Sequence, residues 1–319
     1  MTQASPATPS PDAPILRLGT RNSPLAMAQA HEARDRLCAA HGWDQAAVEL
    51  VPVVASGDKV LDRPLAEIGG KALWTKELDQ WLHEGRIDAA VHSMKDVETL
   101  RPPTLAIAAV LPRADTADRL VGAASIAEIP HGATVGTSAP RRAAQLLHAR
   151  PDCKVVTFRG NVATRLAKLA SGEADCTLLA AAGLDRLGEE GGGARLDPEQ
   201  WLPAPGQGAI GIECRADDSA ARALLAAIDH APSRQAVMAE RALLKALGGN
   251  CHSPIAMLSG TDGAQLTLRC ALFSPDGAER IEECASGPAG ELDWVAAMGA
   301  GFLARLSSKM APHFGHHGT

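Results

Sequence analysis

The chain has 319 residues, 46% of them hydrophobic but only 3% aromatic, and its formal net charge is -6. This length predicts two or three domains with aliphatic cores. Nucleic-acid binding is disfavoured because the chain is acidic and, with five Trp, four Phe and no Tyr, has little on which to stack bases. No apolar run approaches membrane-spanning length, so we expect no membrane association.

The cysteines and the chain termini favour a cytoplasmic location. The seven cysteines are dispersed without a CxxC pair, which disfavours both a disulfide framework and a zinc site. We therefore expect a reducing compartment and no metal ion. Residues 1–14 lack the basic start and the apolar stretch of a targeting signal. We predict that residues 1–14 and 313–319 are disordered tails.

Strands and helices are predicted to alternate from Ile15 to about Arg215, the pattern of an α/β fold with mostly parallel sheets. The first strand, ILRLGT, leads into a helix that begins at Ser23-Pro24, an N-cap followed by a proline. Further strands are predicted at VELVPVVAS, DAAVHSM, TLAIAAVL, ATVGTS, KVVTFRG, DCTLLAAAG and AIGIECR, and further helices at about 72–85, 141–149, 162–171 and 218–229. The rest predicts a separate α+β unit, with helix 233–247, a glycine loop, strands QLTLRCALF and 279–285, and helix 291–308.

Arginines concentrate where predicted strands give way to helices. In this acidic chain such junctions hold Arg21, Arg141, Arg142, Arg159 and Arg165. A cation in the first turn of a helix opposes the helix dipole unless an anion is present. Guanidinium groups bind carboxylate and phosphate through paired hydrogen bonds. The pattern predicts a focused pocket for a small polyanion.

Two segments carry candidate reactive groups. AAVHSMKD places Lys95 and Asp96 after a buried strand, at the sheet edge where ligands bind in open α/β folds. A Lys-Asp pair is also common in a solvated turn, so spacing alone leaves both interpretations open. The loop KALGGNCHSP contains Cys251, which is either a small buried hydrophobe or a reactive thiol. A dyad with His252 is disfavoured because adjacent side chains diverge.

Two segments that look like nucleotide-binding motifs fail in their context. GQGAIG, residues 206–211, leads into a predicted strand and does not open a helix. GGKALWT, residues 69–75, lacks both the earlier glycine of a P-loop and the Ser or Thr directly after Lys71. We expect no nucleotide site.

Eight segments in order resemble the porphobilinogen deaminase family: RLGTRNSPLAMAQA, GGKALWTKEL, DAAVHSMKDV, VGTSAPRR, FRGNVATRL, AAGLDRLG, LPAPGQGAIGIECR and the cysteine loop. The resemblance extends from Ile15 to about Leu306. It implies an α/β fold of three domains, two resembling the lobes of type II periplasmic binding proteins and the third a smaller α+β C-terminal domain. The implied boundaries are 15–112 with 209–228 for domain 1, 113–208 for domain 2 and 229–312 for domain 3.

The resemblance also implies an activity. Four porphobilinogen molecules are joined head to tail, each losing ammonia, to form hydroxymethylbilane on a dipyrromethane cofactor that a thioether attaches to Cys251. Each pyrrole ring carries an acetate and a propionate, which would explain the arginines. Asp96 is implied to be the catalytic residue, because a carboxylate near the pyrrole N–H stabilises the cation left when ammonia departs.

The remaining implied roles follow the matching motifs. Cofactor binding is implied for Ser93, Lys95, Thr137, Ser138, Arg141, Arg142, Arg159 and Cys251. Substrate binding is implied for Arg21, Ser23, Lys71, Arg165, Arg186 and Gln207, with Gln207 near an interdomain hinge and Lys71 in a mobile loop over the site. The chain departs from the common family pattern at Trp74, Ala139 and Asn250, where phenylalanine, serine and glycine are frequent.

The family resemblance implies a monomer that acts on the small molecule porphobilinogen and hands its product to uroporphyrinogen-III synthase. Two other classes stay open on the residues alone. A non-catalytic anion-binding protein of the same two-lobed architecture would explain the arginines, but neither Asp96 beside them nor the cysteine loop. A cysteine hydrolase would use Cys251 as a free nucleophile, whose thiol would react with an alkylating reagent.

Overall fold

The computed structural model describes residues 14–54, 75–189, 192–250 and 252–315. These residues form two five-stranded sheets and one three-stranded sheet. The strands are β1 (Leu16–Arg21), β2 (Val48–Val53), β3 (Ala89–Ser93), β4 (Leu105–Val110), β5 (Asp118–Val121), β6 (Thr134–Gly136), β7 (Lys154–Val156), β8 (Cys176–Ala180), β9 (Ala194–Arg195), β10 (Ile210–Arg215), β11 (Ile255–Thr261), β12 (Gln265–Phe273) and β13 (Arg280–Pro288). The α-helices are α1 (Pro24–His41), α2 (Lys76–His83), α3 (Pro140–Ala149), α4 (Val162–Ala170), α5 (Ala181–Arg186), α6 (Ser219–Ala226), α7 (Ala231–Ala246) and α8 (Asp293–Leu303).

The two five-stranded sheets share one topology. The first has the order β2-β1-β3-β10-β4 and the second β7-β6-β8-β5-β9. In each sheet the fourth strand is antiparallel to both of its neighbours, β10 in the first and β5 in the second. Each of these strands enters its sheet from the other lobe. Two segments, 111–117 and 203–209, therefore link the lobes, and they run together, with a hydrogen bond of 3.2 Å from Ala114 N to Gly208 O.

The third sheet is an antiparallel meander of β11, β12 and β13. Its core includes Leu243 of α7, Leu268 of β12 and Phe302 of α8. The expected fold class, α/β with two similar lobes and a smaller α+β C-terminal unit, is confirmed.

Three strands, β5, β9 and β11, were missing from the predicted elements. The strand β11 lies between the glycine loop and QLTLRCALF, where no element is predicted, and it pairs with β12 from Ile255 opposite Leu272 to Thr261 opposite Leu266. The strand β5 has only four residues and begins with a charged Asp118, so it shows no strand-like alternation. The strand β9 has only two residues and pairs with β5. All three strands exist because neighbouring strands supply their hydrogen bonds.

The predicted C-terminal tail is wrong for residues 313–315. Phe314 is only 3% exposed and packs in the core of the third sheet. Gly315 N donates a hydrogen bond of 2.7 Å to Leu247 O. Burial of an aromatic ring outweighs the entropy lost by ordering a few residues. Residues 1–13 and 316–319 lie outside the described part of the chain.

A buried ion-pair network stabilises the first sheet. Glu213 of β10 is fully buried and accepts hydrogen bonds of 3.0 and 2.8 Å from Arg101, and His92 Nε2 lies 3.2 Å from its Oε2. Arg101 also pairs with Asp79 and Glu98. Burial by itself would raise the pKa of Glu213, but His92 and Arg101 outweigh it and lower this pKa from 4.5 to about 2.

We expect Glu213→Gln to destabilise the protein by roughly 1–3 kcal/mol at neutral pH, because it removes a fully buried charge that is hydrogen-bonded to Arg101, while Arg101 keeps Asp79 and Glu98. The folded pKa of Glu213 lies below its unfolded value, so its contribution to stability is lost as the pH falls from 4.5 toward 2. Urea denaturation should show that the difference in the free energy of unfolding between wild type and variant becomes smaller over that pH range. Glu49→Gln, at an exposed position on β2, is the control and should change stability little. A difference that stays constant down to pH 3 would contradict this account.

Candidate active site

The predicted catalytic turn lies at the carboxyl end of β3. The strand ends at Ser93 and continues into a 3-10 turn, Met94–Asp96. Met94 and Val97 are buried in one apolar cluster, and Lys95 and Asp96 between them are half-buried. The chain thus presents a lysine and an aspartate on a rigid base.

Glycines of the GQGAIG segment let the returning chain run against this turn. Gly206 has a φ of +70°, and a Cβ on it would lie 2.9 Å from the backbone nitrogen of Lys95. A Cβ on Gly211 would overlap the Met94 side chain. The segment enters β10 and no helix, which agrees with the rejected nucleotide motif.

Cations of the second lobe act on this turn electrostatically. Burial lowers the pKa of Lys95, with Arg142 and Arg165 lowering it further and Asp96 opposing the shift. Burial also lowers the pKa of Arg165 to about 10, with Arg142 and Arg159 adding to the shift and Asp96 again opposing it. The structure therefore brings together residues predicted from separate motifs on the two lobes. At Lys95 both Asp96 and Asp118 oppose the arginines, whereas at Arg165 the neighbouring arginines outweigh Asp96, so an added anion is favoured beside Arg165.

The junction between β7 and α4 orients Arg165. Gly160 has a φ of +103°, and Asn161 caps the helix by accepting a hydrogen bond of 2.9 Å from Thr164 N. Arg165 Nε donates to Gly160 O over 3.1 Å. Arg159, just before the turn, is buried.

A fully buried carboxylate, Asp118, holds the two arginines at the start of α3. It accepts hydrogen bonds from Arg141 over 2.5 Å and from Arg142 over 2.6 Å, and from Trp201 and Gln207 over 2.9 Å each. Burial alone would raise the pKa of Asp118, but the two arginines hold it far below its usual range. Arginines in the first turn of α3 were expected to need an external anion, whereas the structure supplies Asp118 from within the chain. The assignment of Arg141 and Arg142 to cofactor carboxylates stays a prediction.

Several other predicted site residues have partners inside the protein. Ser93 Oγ accepts from Gln29 over 2.8 Å, and the Gln207 amide donates to Thr116 O over 2.7 Å. Arg186 Nε pairs with Glu32 over 3.1 Å, which connects α5 of the second lobe to α1 of the first.

The remaining positions fall into three groups. Ser23 caps α1, and Thr137 Oγ1 accepts from Ala139 N over 3.2 Å. Arg21 and Ser138 are half-buried at the ends of β1 and β6. Lys71, Trp74 and Cys251 lie outside the described residues.

Two departures from the family pattern have visible consequences. Ala139 is the N-cap of α3, and its methyl group cannot accept a hydrogen bond from the first N–H groups of the helix. Asn250 Oδ1 accepts a hydrogen bond of 2.8 Å from His252 N, and Asn250 N donates to Ser253 Oγ over 3.1 Å. The asparagine therefore shapes the cysteine loop with its own side chain.

Sequence reasoning missed Asp118, Glu32 and Glu240. Glu240 of α7 is fully buried and accepts from Arg113 over 2.7 Å and from Gly206 N over 2.6 Å. A single acidic residue that pairs across the fold has no periodic signal. The arginines at helix starts could have indicated that buried carboxylates pair with them.

The two lobes bring several cations and a carboxylate together. This arrangement is typical of a protein that binds a small molecule with several negative charges. Residues 16–223 match the family described as "Porphobilinogen deaminase, dipyromethane cofactor binding domain", and residues 234–300 match "Porphobilinogen deaminase, C-terminal domain". The chain belongs to the porphobilinogen deaminase family. It is therefore an enzyme, a transferase.

Curated relatives agree over nearly the whole chain. Porphobilinogen deaminase of Sphingopyxis alaskensis is 61% identical over 279 residues, covering 85% of this chain and 88% of the relative. The Paracoccus denitrificans protein of that name is 50% identical over 310 residues, covering 96% of this chain and 97% of the relative. The chloroplastic porphobilinogen deaminase of Oryza sativa subsp. japonica is 46% identical over 306 residues, covering 94% of this chain and 85% of the relative. Among the residues that the structure describes, no helix has the length and apolar composition needed to cross a bilayer.

We expect Asp118→Asn to lower the free energy of unfolding by roughly 3–5 kcal/mol, because Arg141 and Arg142 would remain buried as like charges without a counterion. Urea denaturation measures the loss. The control is Asp115→Asn, which breaks an exposed pair with Arg195 and should cost less than about 1 kcal/mol. Equal losses in the two variants would show that Asp118 is not the stabilising centre of the arginine pair.

Proposed function

We propose that Asp96 and the cations around it carry out the family's reaction in this chain. The chain deaminates four porphobilinogen molecules and polymerises them head to tail into hydroxymethylbilane on a dipyrromethane cofactor. The observation that supports these roles is that Lys95 and Arg165 are held close to Asp96, and that burial, with Arg142 adding to it, lowers the pKa of both cations. A cluster with surplus positive charge suits a substrate chain that gains an acetate and a propionate with every ring.

The same residues fit the cofactor. Dipyrromethane has two pyrrole rings and so bears several carboxylates, which Lys95, Arg142 and Arg159 would hold. When bound, it supplies the free pyrrole carbon to which the first substrate is joined. Cys251 is the proposed point of attachment, in a loop whose flanks Asn250 shapes.

In the reaction, Asp96 accepts a hydrogen bond from the substrate pyrrole N–H. Departure of ammonia leaves positive charge on that nitrogen, and the nearby carboxylate stabilises it. Asp96 is also placed to accept the proton released when two rings couple. Arg165, whose pKa burial and neighbouring arginines lower, regains favourable surroundings when a substrate carboxylate binds beside it.

We also propose the finer points that the family resemblance implies. The three-sheet topology supports domain boundaries of 15–112 with 209–228, 113–208 and 229–312. A monomer located in the cytoplasm, which passes its product to uroporphyrinogen-III synthase, is consistent with the family's place in tetrapyrrole synthesis. Family membership removes the support for a non-catalytic anion-binding protein and for a cysteine hydrolase.

Asp96→Asn should leave the cofactor attached but lower kcat by at least about 100-fold, because an amide has no charge with which to stabilise the cation. Intact mass, compared with the sequence mass, reports the cofactor, and consumption of porphobilinogen reports turnover. Asp217→Asn, at an exposed position after β10, is the control and should keep full activity. Substantial turnover by the Asp96 variant would assign charge stabilisation to another group.

Arg165→Leu should weaken binding of the growing chain by roughly 1.5–3 kcal/mol, the cost of losing a hydrogen bond to a charged group. Steady-state kinetics should show this as a raised KM for porphobilinogen. Arg222→Leu removes an exposed arginine of α6 and should leave KM unchanged. Wild-type kinetics in the Arg165 variant would remove this residue from the site.

A further inference from the structure

The helix α7 of the C-terminal unit packs directly against the catalytic turn. Val237 lies in the same apolar cluster as Met94 and Val97, the residues on either side of Lys95 and Asp96. Arg241 follows Val237 by four residues, which places both on one face of the helix. The base of the catalytic turn is therefore supplied by a different structural unit.

Arg241 binds the backbone that follows Asp96. Its side chain donates to three successive carbonyl oxygens, those of Val97 over 3.3 Å, Glu98 over 2.6 Å and Thr99 over 3.1 Å. Arg241 is only 9% exposed, and burial lowers its pKa. Burying a guanidinium group on neutral carbonyl oxygens is unfavourable compared with pairing it to a carboxylate. The arrangement orients a backbone segment at a cost in stability.

Thr99 joins the same segment to the cysteine loop. Its Oγ1 donates a hydrogen bond of 2.8 Å to Gly249 O, two residues before Cys251. Gly249 N in turn donates to Leu244 O at the end of α7 over 2.8 Å. On the other side of Cys251, His252 N donates to Asn250 Oδ1. Residues 97–99 are thus connected to the loop both through the helix and directly.

We propose that Arg241 and Thr99 are positioning residues that set the distance between the Asp96 carboxylate and the cysteine loop. The proposal rests on the proposed function, in which Asp96 stabilises the reacting ring and Cys251 carries the cofactor. The two groups belong to different units, so their relative position depends on the contacts between those units. A misplacement of about 1 Å can slow a reaction on the order of 100-fold.

The test compares Thr99→Val with Thr99→Ser. Valine keeps the shape of threonine but has no hydroxyl donor, whereas serine keeps the donor. Thr99→Val should retain the cofactor by intact mass and lose about tenfold or more in kcat, with KM within about twofold of wild type. Thr99→Ser should restore wild-type kcat. Thr261→Val, which removes a threonine donor to Gln265 O on the third sheet, is the matched control and should be fully active.

A second variant, Arg241→Lys, keeps the charge but loses the donation to three carbonyls. It should show the same loss in kcat with cofactor still attached. Wild-type kcat in both the valine and the lysine variants overturns the proposal. So does loss of the cofactor, a rise in KM equal to the fall in kcat, or a serine variant as slow as the valine variant. Failure of the proposed function is seen separately, as a wild-type protein without added mass or without activity on porphobilinogen.

Discussion

The arrangement of the two lobes depends on buried carboxylates that hold guanidinium groups where the two linking segments pass each other. Asp118 binds Arg141 and Arg142 at the start of β5, and Glu240 binds Arg113 of the first linking segment together with Gly206 N of the second. A buried charge without its partner is strongly destabilising, so these groups allow one arrangement of the segments. The position of one lobe relative to the other follows from that arrangement.

In the proposed function, the reaction site is assembled from three units. The first lobe contributes Asp96 and the second contributes Arg165, while α7 of the third supports the catalytic turn through Val237 and Arg241. The small C-terminal unit therefore has a structural part in the proposed site. Its helix α7 packs against the catalytic turn, and in our proposal the C-terminal unit also carries the cofactor.

Much of the site could be predicted from the sequence because its signals are local. The Ser23-Pro24 start of α1, the strand before Asp96 and the arginines at helix starts are patterns of a few neighbouring residues. Only part of the role of GQGAIG could be predicted from the sequence. Its context excluded a nucleotide, but the packing of Gly206 against the catalytic turn connects positions more than a hundred residues apart.

The sequence by itself determined the α/β class, the separate C-terminal unit and the placement of arginines at strand-to-helix junctions, because periodicity, caps and charge placement are patterns of neighbouring residues. The candidate aspartate followed from the resemblance of eight segments to one family. The tertiary structure alone decided that Asp118 pairs with Arg141 and Arg142, that β5 and β11 are strands, and that Phe314 is buried. Each of these depends on partners distant in the chain. A buried ion pair, a strand pairing and a buried ring are stable only when the fold brings those partners together.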